Sequence, residues 1–115
     1  MNFHGMHFRR FWSAYMECAA WTEEEQLNGG DGFADETVLQ MELDCRKFYA
    51  ENLKMIDEDP SQAGHDFWLT RNGHGAGFWD GDWPEVDGAV LTLAAKKFGA
   101  YHLYVGDDGK IYGSK

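Results

Sequence analysis

The sequence has no apolar run approaching the roughly 18 to 20 residues that a membrane-spanning helix needs, which excludes such a helix from its 115 residues. Its first ten residues lack the apolar stretch of a secretory signal, so a cytosolic location is expected and no membrane contact. Cysteine is scarce. Cys18 and Cys45 could make one disulfide at most, and in a reducing compartment both are expected as free, half-buried thiols. Missing too are a Gly-rich phosphate loop ending in Lys-Ser or Lys-Thr, a Gly-x-Ser-x-Gly elbow, a His-Glu-x-x-His helix and a Cys-x-x-Cys pair. Those absences remove the commonest nucleotide-hydrolysing, serine-hydrolase, zinc-protease and zinc-ribbon chemistries.

Basic residues are few, 10 against 20 acidic ones, for a net charge of −10. The imbalance is local: residues 17 to 59 hold 13 acidic side chains and three basic ones, and the remainder is neutral. Such a segment repels phosphate backbones and attracts basic surfaces, so direct nucleic-acid binding is not expected and a basic protein partner is. The clusters placed to meet that partner are Glu23, Glu24 and Glu25, and Asp57, Glu58 and Asp59. The plainer reading is that the acid solvates exposed helix faces.

Aromatics are abundant at 16%, and 43% of the chain is hydrophobic, enough for one core and too little for two. A single α+β domain over residues 1–115 is expected. Helical spacing of Phe8, Phe11, Trp12, Tyr15, Cys18 and Ala19 predicts a first helix from about Arg9 to Glu25, stopped by Asn28-Gly29-Gly30-Asp31-Gly32. Val38, Met41, Cys45, Phe48, Asn52 and Ile56 predict a second from Asp35 or Glu36 to Ile56, closed by Asp57-Glu58-Asp59-Pro60.

From His65 the period changes to two, and Asn72-Gly73-His74-Gly75 supplies residues that tolerate a tight turn, which predicts a β-hairpin over His65 to Asp80 with Trp68 opposite Trp79. A third helix follows from Asp87 or Gly88 to Phe98, with Gly99 beyond its end, then a hairpin from Tyr101 to Tyr112. The sum is a small four-stranded antiparallel sheet, made of two hairpins, covered by three helices.

Two chemistries deserve weighing on these residues. Cys45, His65, His74 and Asp80 are zinc-ligand types that folding could gather into a structural site, although their spacing matches no zinc ribbon. Asp80-Gly81-Asp82 and Gly106-Asp107-Asp108-Gly109 lack the spacing of a calcium loop and read as turns. A small metal-dependent enzyme would use His65, Asp66, Arg71, His74 and Asp80 as acid, base and anion clamp. No nucleophile is visibly paired with a base, so catalysis is not the expectation.

The string from Ala63 to Asp80 resembles a group of short phage and prophage proteins of uncharacterised function. So do Glu17-Cys18-Ala19-Ala20-Trp21, Asp44-Cys45 with Phe48 and Asn52, Ala94 to Gly99, and Leu103 to Tyr112. The chain departs from that group over residues 22 to 37 and 81 to 87. The resemblance implies a viral origin and a bacterial host cytoplasm, and small acidic phage proteins resemble anti-defence inhibitors, anti-CRISPR proteins among them. RNA-guided nucleases hold nucleic acid in positively charged channels that an acidic surface can occupy. The expectation is therefore an acidic protein-binding inhibitor of a Cas9-type effector, with structural zinc as an addition. The alternative is an interaction module in phage replication or packaging.

Overall fold

The computed structural model describes residues 3–24, 27 and 30–115, with side chains from residue 5. Among these residues five helices precede one short hairpin: α1 (Phe3–Thr22), α2 (Asp35–Glu51), α3 (Leu53–Ile56), α4 (Pro60–Arg71), α5 (Glu85–Lys96), β1 (His102–Val105) and β2 (Ile111–Ser114). No described helix is long and apolar enough to cross a membrane.

The expected four-stranded sheet is not there; the described residues form one two-stranded antiparallel sheet. The segment expected as the first hairpin is instead α4 and the loop behind it. Asp59 accepts from the Gln62 backbone N–H at 3.3 Å and Pro60 sits in the first turn, both strong helix-start devices. At the far end, Gly73 adopts φ 69°, its N–H reaches Thr70 O and the His74 N–H reaches Leu69 O. That pair of bonds is the Schellman ending of a helix. Asn-Gly serves a helix stop as well as a hairpin turn, and here it ends a helix. Trp68 and Trp79 are accordingly no cross-strand pair: Trp68 is buried and Trp79 is about half exposed.

α1 and α4 lie side by side and run the same way, with His7 against Asp57 at one end and Thr22 against Trp68 at the other. Gly64 permits their close approach, since a Cβ there would collide with Phe11 O. The long helix expected to Ile56 breaks at Asn52, whose side chain turns back to donate to Phe48 O at 2.9 Å. The start of α1 at Phe3 lies earlier than the spacing indicated.

Core residues come from every described element, among them Phe11, Phe48, Ile56, Phe67, Leu91, Leu103 and Ile111. At the centre Phe48 and Phe67 stack at 4.1 Å and 11°. Phe11 and Phe78 pack on Phe48 at 5.9 and 5.7 Å. Aromatic pairs of this kind contribute about 0.5–1.5 kcal/mol each beyond the area they bury.

The closing hairpin pairs His102 with Ser114 through Val105 with Ile111. The stretch 31–34, which begins within the helix-stop loop expected over 28–32, runs parallel to β2: Ala34 N–H donates to Ile111 O and Ile111 N–H to Gly32 O. The Thr37 hydroxyl also donates to Ile111 O at 2.9 Å, so the first turn of α2 is seated on the C-terminal hairpin.

Candidate functional site

A buried ion pair ties α4 to α2. The Arg71 guanidinium donates to Asp44 Oδ2 at 2.9 Å and to the Tyr15 hydroxyl at 3.1 Å, and further N–H groups reach Gly99 O and Phe98 O at 2.9 and 3.3 Å. Its charged end also lies over the rings of Phe67 and Tyr101 at 5.4 and 5.5 Å. The anion clamp that an enzyme would ask of Arg71 is not on offer, because its side chain is fully buried and its donors are spent on the protein itself.

Behind α4 the loop 75–84 folds back over the helix. Phe78 enters the core, its N–H donating to Thr70 Oγ1 at 3.1 Å. Trp83 Nε1 donates to the buried Asp66 carboxylate at 2.7 Å, and Gln62 Nε2 bridges Asp66 and Asp82 at 3.2 and 3.3 Å. Burial pushes the Asp66 carboxyl above its usual range, and the neighbouring Asp80 carboxylate raises that of Asp82.

One oxygen each from Asp66, Asp80 and Asp82 lies within 4.8 Å of the others, the one such group of three metal-ligand side chains among the described residues. An all-oxygen set suits a hard cation such as magnesium or calcium, not zinc. Asp66 already has its hydrogen bonds from Trp83 and Gln62. Of the residues expected to bind zinc, only Asp80 belongs to this group. Cys45 is buried in the core, His65 is exposed on α4, and His74 Nε2 sits 3.7 Å from Glu23 Oε1. These four do not converge, and the expected zinc site has no fit here.

The two acidic clusters expected to meet a partner are also apart. Asp57 lies 2.6 Å from His7 near the start of α1, and Glu58 and Asp59 are exposed beside it. Glu23 and Glu24 lie beyond the other end of α1, about 25 Å further along at 1.5 Å rise per residue. Glu25 lies outside the described residues.

At that second end the structure opens a cleft of about 710 Å³ between the close of α1, the Schellman turn of α4 and the start of β1. Trp21, Glu23, Glu24, Asn72, His74 and His102 are among the residues that line it, with Glu23 and His74 3.7 Å apart. Each wall is held from beneath: Trp68 Nε1 donates to Thr22 Oγ1 at 2.8 Å, and Asn72 Oδ1 accepts from the Tyr101 N–H at 2.8 Å. Trp21 is 73% exposed at its rim. An open indole in a cleft lined by the exposed Glu24 suits a lysine or arginine side chain, by cation–π contact and by charge together.

The sequence placed Asn72 in a turn and nothing local set Trp21 apart on its helix, so the cleft was not visible in it. The signal available was an apolar ring next to three successive glutamates at a helix end. Searches of family models, curated proteins and solved structures each return no match to this chain.

Proposed function

We propose that the protein works by binding a basic protein surface, with the cleft at the end of α1 as the contact. The observation that carries this reading is Trp21, 73% exposed beside Glu23 and Glu24 on the cleft rim. Large exposed aromatics flanked by charge are typical interface anchors. The overall charge of −10 adds long-range attraction to such a partner and repels nucleic acid. Taken with the resemblance to phage proteins, the partner class is a host effector that keeps nucleic acid in a basic channel, an RNA-guided nuclease of the Cas9 type. The protein then inhibits by occupying or covering that channel.

The test is cleavage of target DNA by the guide-loaded nuclease in the presence of the purified chain, with binding measured in parallel. Inhibition that Trp21→Ala combined with Glu23→Lys and Glu24→Lys relieves by about tenfold or more, and that weakens with added salt, is the expected result. Absence of binding by the intact protein removes the nuclease reading. Full inhibition by the triple variant removes the cleft as the contact. Charge reversal at Glu58, exposed at the other end of α1, is expected to change little.

A further inference from the structure

The outer side of α5 carries an apolar stripe that no described residue covers. Val86, Val90 and Leu93 are 73%, 44% and 66% exposed, whereas Gly88, Leu91 and Ala95 are buried. At 100° per residue the three exposed positions and Lys97 fall within about 60° of one another, on the side diametrically opposite the buried residues. The stripe is thus no frayed margin of the core but a second apolar face on the same helix. It continues into a groove of about 650 Å³ floored by Leu93, Ala94 and Phe98 and edged by Lys47 and Glu51 of α2.

The charges along α5 say what fits. Its first turn holds Glu85 and Asp87 and its last holds Lys96, so the helix is acidic at one end and basic at the other. A second α5 laid antiparallel across the stripe, with the two-fold axis beside Val90, sets Val90 against its own copy and Val86 against Leu93 of the other chain. Glu85 and Lys96 share one flank of the helix. A two-fold axis keeps that flank on the same side in both copies, so each Glu85 meets the other Lys96, twice per pair. A bilayer surface fits less well, because the flanks carry mixed charge in place of a basic polar face.

We propose that α5 is a homodimer surface, pairing with a second copy of this chain through Val86, Val90 and Leu93 and the two Glu85–Lys96 ion pairs. A 12-residue helix is about 18 Å long, so even with the groove beside it the contact is smaller than the ~800 Å² per partner of a stable complex. The pairing is accordingly weak and reversible, visible at high micromolar concentration.

Sedimentation equilibrium of the full chain tests it, from about 10 to 500 µM, the range where a small interface shows. The mass is expected to rise with concentration from 13.1 kDa towards twice that value. Val90→Asp, at an exposed site that leaves the fold intact by circular dichroism, is expected to abolish the rise. Glu85→Lys or Lys96→Glu alone should weaken association about three- to tenfold, and the two together should restore it. Val90→Cys is expected to form an intermolecular disulfide under mild oxidation. A chain monomeric throughout, a dimer untouched by Val90→Asp, or single charge reversals that the double variant does not rescue would each overturn the proposal.

Discussion

Arg71 and Asp44 meet at 2.9 Å with both side chains withdrawn from water, joining α4 to α2 across the aromatic core. A buried charge left without its partner is far more costly than the pair is favourable. Asp44→Ala, which strands the guanidinium, is expected to destabilise the fold by about 3–5 kcal/mol in urea unfolding, and Arg71→Ala by less, since Asp44 keeps Lys115 at 3.4 Å and Gln40 at 3.0 Å. Arg71→Lys should fail to recover most of that loss, because an ammonium cannot span Tyr15, Asp44, Phe98 O and Gly99 O as the guanidinium fork does. A cost below about 1 kcal/mol for Arg71→Ala would show the pair to be dispensable.

Gly64 sets the spacing of α1 and α4, since its missing side chain is where the Phe11 carbonyl sits. In an exposed helix Ala would outperform Gly by up to 1 kcal/mol. Here the expected sign is reversed, with Gly64→Ala destabilising by about 1–3 kcal/mol as the helices are forced apart. Thermal unfolding of the variant decides between the two.

Asp66 couples stability to pH. Burial raises its carboxyl pKa, so between the unfolded value and the raised one the folded state keeps a proton that the unfolded chain has released. Its contribution to stability is therefore complete at low pH and is lost as pH rises through that window. Asp66→Asn removes the slope while keeping an oxygen for Trp83 Nε1. The variant should match the parent below the ordinary carboxyl range and gain on it as pH rises through that window, by denaturant unfolding at each pH.

The thiols should be silent. Burial pushes Cys18 up to about 11, and Cys45 well above its ordinary value. Neither is expected to react with iodoacetamide at neutral pH in the native protein, and both should react in denaturant. Rapid native labelling of Cys45 would contradict its place in the core.

The elements that the sequence announced were those with one buried side. α2 shows Met41, Cys45 and Phe48 on its inner stripe, and α5 ends near Gly99 at φ 74° as its position indicated. α4 hid itself because Ala63, Gly64, Asp66, Phe67, Trp68, Thr70 and Arg71 are all buried, and a helix enclosed on most sides keeps no stripe of period 3.6. Its alternation of aromatic and polar residues then mimicked a strand. The site suffered from the same distance problem in another form: Trp21, Asn72 and His102 meet only because α1 and α4 run in parallel, a relation that no local pattern encodes. Asp44 offered no hint either, since a buried acid in an acidic segment looks like its exposed neighbours until Arg71 is placed beside it.

The seat of α2 on Ile111 has a consequence for synthesis. Thr37 and Ala34 find their acceptor on a residue made 74 positions after Thr37. At ribosomal speeds of about 5–20 residues per second, that partner arrives roughly 4 to 15 s later. Until residue 111 is made, α1, α2 and α4 therefore have one border of the molecule still unpaired.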